Sequence, residues 1–167
     1  MQSSQHISIS KIKNTYFDLA VTPKKHQIHV LMQLHITDVT TTHMDDVITL
    51  LQTHLPSVLT STCFNEEQLP FSQEVKSTEI GHLFEHIMLE YLCQGKMREG
   101  YTEALFAGIT TWDWNKDTYG TFHITLHMTK NEHIYFSRAL KKSILLLQHI
   151  LVYHQNRASK IVGYLLN

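Results

Sequence analysis

Residues 27–36 alternate without a break, with Ile28, Val30, Met32, Leu34 and Ile36 on one face and His29, Leu31, Gln33 and His35 on the other. A period of two with one apolar side predicts a strand that buries a single face. Residues 7–12 and 16–21 are rich in β-branched and aromatic types, and Pro23-Lys24-Lys25 reads as the turn into the clear strand. The opening third is therefore expected to be a β-meander. From Thr41 the period changes: Met44, Val47, Ile48, Leu51 and Leu55 recur at three- and four-residue steps, predicting an amphipathic helix capped by Thr42 and closed by Pro56. Residues 57–77 have little periodicity and are expected to form an irregular connection carrying Cys63. Thr78 and Gly95 suit the N-cap and C-cap of a second helix. Two more strands are expected at 104–112 and 121–128, joined by a hairpin turn over 115–120. A last helix is expected over 132–154, with Phe136, Leu140, Ile144, Leu147 and Leu151 as its buried stripe. Together these predict an α+β fold in one domain spanning residues 1–167, an antiparallel sheet packed against two or three amphipathic helices.

Composition adds exclusions. A chain of 167 residues with 43% hydrophobic content can bury one sizeable core. Lys and Arg (14) nearly cancel Asp and Glu (15), so no broad field argues for nucleic acid or an anionic membrane surface. The first six residues hold no basic stretch ahead of an apolar block, and the longest apolar run, 144–152, is interrupted by Gln148 and His149. Neither secretion nor membrane spanning is expected, and the cytoplasm is the expected location. Cys63 and Cys93 lack a C-x-x-C pairing, which suits a reducing compartment and two thiols. Histidine is the unusual residue, with 13 copies against 7 Tyr.

Two of those histidines sit in the second helix, in His82-Leu83-Phe84-Glu85-His86. At about 100° per residue, with His82 at zero, His86 falls at about 40°, Glu79 at about 60°, Glu90 at about 80° and Glu85 at about 300°. Ile80, Leu83, Phe84 and Ile87 gather on the opposite side, so the helix is expected to seat them on the sheet and turn the His/Glu stripe outward or into a cleft. Imidazoles one turn apart can converge on a zinc ion, and a third protein ligand would leave the fourth position open for water. Glu85 beside the pair is placed to act as general base in amide hydrolysis. H-x-x-E-H is the inverse of the commoner H-E-x-x-H. With 13 His in 167 residues, chance alone supplies the spelling roughly 0.05 times. The third ligand is assigned to Glu90, with Glu79, His123 and His127 as competitors. His29, His35, His123 and His127 otherwise read as a solvated sheet face, and Cys93 as a half-buried thiol.

The same residues carry a family resemblance. Leu55-Pro56-Ser57-Val58-Leu59-Thr60-Ser61-Thr62-Cys63 resembles the Leu-Pro-Gly-Leu and following cysteine of the N-terminal domain of cyanophycin synthetase, the enzyme that builds an Asp-Arg storage polymer. Residues 81–90 resemble that domain's His-Leu-Val-Glu-His-Val-Ala-Leu-Glu helix, and residues 119–126 with the long helix after them resemble its ending. The resemblance implies a metallopeptidase-like site on the H-x-x-E-H helix that cuts the polymer into primers, with Glu90 as part of the pattern. It also implies a stand-alone relative of the accessory domain, because no ATP-binding or ligase segment is recognisable. One departure concerns substrate: the family's Gly-Arg-Thr-Arg is here Gly108-Ile109-Thr110-Thr111, so two guanidinium groups suited to carboxylates are absent, which argues against cyanophycin itself. The expected function is zinc-dependent hydrolysis of a peptide or isopeptide bond in a peptide or polymer substrate, with His82, His86 and Glu90 as ligands and Glu85 as base. The alternative is a non-catalytic polymer- or protein-binding module that meets its partner through Trp112 and Trp114. A third reading gives the histidine stripe a structural metal or a dimer contact.

Overall fold

A computed structural model describes residues 10–63 and 68–165, with side chains through residue 159. Five strands form one antiparallel sheet: β1 (Ser10–Lys13), β2 (Phe17–Lys24), β3 (Gln27–Leu34), β4 (Ala107–Thr111) and β5 (Thr121–His127), in the order β1-β2-β3-β5-β4. Every neighbouring pair is antiparallel. The Asn14 side chain starts the meander by accepting from the backbone N–H groups of Tyr16 (2.8 Å) and Phe17 (2.9 Å), which turns the chain into β2. β2 runs through Pro23, so the turn into β3 is Lys25-His26, one residue later than expected. Positions 7–9 of the expected first strand lie outside the described residues.

The alternation decides the layering. Leu19, Val21, Ile28, Val30, Met32, Phe122, Ile124 and Leu126 are buried on one face, as strict alternation requires, while His29, Leu31, His123 and Thr125 on the other stay half-exposed. The helices α1 (Val47–His54), α2 (Phe71–Glu74), α3 (Ile80–Arg98) and α4 (His133–Leu165) supply the second layer. α3 lies beneath β5 and β4, where a Cβ on Gly81 would come within 2.4 Å of the Phe122 ring. α4 lies toward β1, and Ile12 lines one apolar cleft together with Phe136, Leu140 and Ile144.

The expected helix boundaries shift for identifiable reasons. α1 starts at Val47 after Asp46, because Thr42 bonds Thr40 and Ser77 instead of capping. Pro56, expected only to stop that helix, opens a 3-10 turn over Pro56–Thr60 within the expected irregular connection, which also contains α2. Thr78 does not cap α3; Glu79 holds that position without a side-chain bond. α3 runs past Gly95 because Tyr135 of α4 packs 3.5 Å from where a Cβ would sit, supporting the helix by tertiary contact. A capping box of Thr129 and Glu132, within the 3-10 turn Lys130–Glu132, leads into α4. No described helix is long and apolar enough to cross a membrane.

Candidate metal centre

α3 places His82 and His86 one turn apart, and their Nε2 atoms lie 3.1 Å from each other. The chain between the 3-10 turn and α2 brings in a third donor. Cys63 N–H donates to Leu69 O (3.1 Å) and Phe71 N–H to Ser61 O (2.9 Å), so a small antiparallel closure holds Cys63 beside α3. Its Sγ lies 3.4 Å from His82 Nε2, and the three donor atoms all fall within 4.8 Å of one another. Phe71, fully buried, stacks on His86 with ring centroids 3.9 Å apart and meets His82 edge-on at 6.0 Å.

The donor chemistry fits zinc. One thiol and two imidazoles are borderline-soft ligands of the type zinc takes, and bonds of about 2.0–2.1 Å to nitrogen and 2.3 Å to sulfur place tetrahedral donors roughly 3.3–3.6 Å apart. The two separations that join His82 to its neighbours lie near that range. Thr78 Oγ1 lies 2.7 Å from His82 Nδ1, an outer contact that fixes the ring and leaves Nε2 toward the cluster. Burial pushes His82 below the ordinary histidine range against the pull of Glu74 and Glu79. Burial, reinforced by His82, drives His86 down to about 3. Both rings are thereby neutral at physiological pH, the form that ligates.

Glu85 occupies the flank between this cluster and the sheet. It is only 5% exposed, and Thr110 Oγ1 of β4 donates to its Oε2 at 2.5 Å. Burial pushes its carboxyl up to about 7, with the Thr110 bond acting the other way. A Cβ on Gly108 would lie 2.8 Å from Glu85 Oε1, so only glycine lets β4 approach this carboxylate so closely.

Residues 29–109 match the family of cyanophycin synthase-like N-terminal domains. That match covers just under half of the chain. The matched stretch runs from β3 into β4 and contains Cys63, His82, Glu85, His86 and Gly108. No curated protein matches the chain. Alternation along β4 divides the four positions 108–111. Gly108 and Thr110 face Glu85. Ile109 and Thr111 fall on the opposite face of the sheet.

Other sequence expectations need correction. Glu90 is not in the three-donor group: its Oε1 accepts from Ser57 Oγ at 2.5 Å. Eight residues separate it from His82, about 12 Å along a helix axis, so a straight α3 keeps it apart from those donors. Of the two placements expected for the His/Glu stripe, outward or in a cleft, the covered one holds around His86, which is 7% exposed beneath Phe71 of α2. His123 and His127, competitors for the third position, belong to the opposite sheet face. There His123 lies 3.3 Å from His29 and 3.0 Å from Asp117. Cys63 was legible only as the family-like cysteine after Leu55-Pro56; its partnership with the histidines depends on the 61–71 closure. Cys93 donates to Ala104 O at 3.4 Å. Trp112 and Trp114 both pack edge-on against Phe122; Trp114 also donates to Thr121 O at 3.0 Å, and Trp112 is the more exposed of the two. A separate cavity of about 370 Å³, bounded by Met44, Val47, Ile150 and Arg157, contains none of the cluster residues.

Proposed function

We propose that the chain is a zinc-dependent, metallopeptidase-like hydrolase of peptide or isopeptide bonds. The observation that carries this reading is the convergence of Cys63, His82 and His86 within 4.8 Å, three ligands of the kind that leave one zinc position open. A zinc ion held there would supply Lewis acidity toward water and an amide carbonyl. Thr110 and Gly108 orient the Glu85 carboxylate, which takes the proton from the attacking water and returns it to the leaving amine. Phe71 holds the His86 ring in place and keeps bulk water from it. Peptide polymers of the cyanophycin type are the substrate class suggested by the family.

The test is elemental analysis of protein purified without a polyhistidine tag, followed by hydrolysis assays on Asp-Arg peptides. One zinc per chain is expected in the wild type and in Glu85→Gln, with at least about a 100-fold loss of rate in the latter. His82→Ala should lose both metal and rate. Absence of stoichiometric zinc, or hydrolysis unchanged in His82→Ala, sinks the proposal. Exposed Trp112 favours one competitor, a module that binds a polymer or protein without turnover. Binding with no hydrolysis by zinc-loaded protein would select it.

A further inference from the structure

β4 is an edge strand, and its unpaired side can be assigned residue by residue. In an antiparallel ladder each residue directs its N–H and C=O to the same neighbour, alternating along the strand. Leu34 N–H donates to Gly120 O (3.0 Å) and Met128 N–H to His26 O (3.2 Å), so the even-numbered residues along β5 address β3. The odd-numbered ones, His123, Thr125 and His127, therefore address β4, where they pair with Thr111, Ile109 and Ala107. That leaves the backbone groups of Gly108 and Thr110 pointing off the sheet. Among the described residues no backbone hydrogen bond from a turn or loop reaches them.

These are the two residues whose inner face holds Glu85. The metal cluster lies on the same flank. Around α3, Tyr91 at about 180° and Gly95 at about 220° face α4, while Gly81 at about 260° and Glu85 at about 300° face the sheet. Lys142 of α4 sits over the Tyr91 ring, and Tyr135 packs on Gly95. His82 and His86, at about 0° and 40°, thus point away from α4. Because α4 lies toward β1, that direction leads past the β4 edge.

Sheet edges are commonly blunted with Lys, Pro or a covering segment. Ala107-Gly108-Ile109-Thr110-Thr111 has no charge and no proline, and exposed Leu105, Ile109 and Trp112 flank or lie on it. We propose that the open edge of β4 is the substrate-docking strand of this site, where an extended peptide backbone adds as a sixth strand, hydrogen-bonded to Gly108 and Thr110. The inference rests on the hydrolase reading and specifies how its substrate is held. Main-chain pairing supplies affinity that tolerates varied side chains, and it carries the backbone past Glu85 and the histidines. It also explains how substrate can be retained without the family's arginines.

The probe is an octapeptide of alternating Asp and Arg, applied to the full chain carrying Glu85→Gln, both zinc-loaded and metal-free. Amide hydrogen exchange at Gly108 and Thr110 should slow by about tenfold or more on saturation, while Ile109, already in the ladder, stays unchanged. N-methylation of one alternating set of peptide nitrogens should weaken binding by about tenfold, and methylation of the other set should not. Binding without protection of those two amides overturns the proposal, as does absence of binding at millimolar peptide. Protection of the same amides by concentration-dependent dimerisation, without peptide, also overturns it by giving the edge to a second copy. The metal-free arm separates the two claims. Edge protection in a protein that never takes up zinc removes the hydrolase reading alone; zinc-dependent turnover by the wild type, with no edge protection in the Glu85→Gln chain, removes the docking strand alone.

Discussion

Glu85 and Gly108 illustrate how two unlike residues are set by one contact. A carboxylate at 5% exposure needs a donor, which Thr110 supplies, and it needs room, which the missing Cβ of Gly108 supplies. Gly108→Ala should force Glu85 or β4 to move, at a cost of about 1–3 kcal/mol in urea unfolding, and should lower turnover without lowering zinc content. Phe71 is the corresponding packing residue of the Cys63, His82 and His86 cluster. Phe71→Ala removes a fully buried ring stacked on His86 and should cost about 3–5 kcal/mol. Thr78→Val leaves the ligands intact but removes the oxygen at His82 Nδ1. Zinc affinity, measured by competition with a chromophoric chelator, should fall about 10- to 100-fold with the circular dichroism spectrum preserved.

At the level of elements, α3 is the organiser. Its first turn is pressed onto β5 at Gly81, and Gly81→Ala should lift the helix from Phe122 and destabilise the fold by about 1–3 kcal/mol, measured as a shifted denaturation midpoint. Its last turn is tied to the start of α4 by Lys96 and Glu132, 2.7 Å apart. Burial raises the Glu132 carboxyl, but the Lys96 ammonium and the Thr129 N–H and hydroxyl pull harder, leaving it below the ordinary value of 4.5. A carboxyl lowered on folding stabilises above its unfolded pKa, and the contribution disappears as pH falls through the folded value. Glu132→Gln should therefore lower the thermal midpoint at pH 7, and the gap from wild type should close as the pH drops below 4.5. A gap that persists unchanged at pH 3 would contradict this.

For the whole molecule, metal and stability should be linked, because Cys63 comes from the 61–71 closure and the histidines from α3. An ion bound only by the folded chain stabilises it by about 2.7 kcal/mol at a hundredfold excess over its dissociation constant. Adding zinc to chelator-treated protein should raise the melting temperature by about 5–10 °C for a domain of this size. An unchanged melting curve at saturating zinc would argue against the cluster as a binding site.

Periodicity by itself determined the strand-helix order, the antiparallel α+β class and the apolar faces, because Ile28 to Leu34 and Phe122 to Leu126 have only one way to bury a single side. It also determined that His82 and His86 share a face, since helical geometry is local. It could not determine the third donor. The stripe on one helix pointed to Glu90, whereas the folded chain brings in Cys63 from 19 residues away through the closure beside Phe71. The burial of Glu85 beneath Gly108 and Thr110 was equally out of reach, because it depends on β4 returning to the sheet edge after α3. Contacts within a turn are written in residue spacing; contacts that close a loop or seat a helix on a sheet exist only once the tertiary structure has formed.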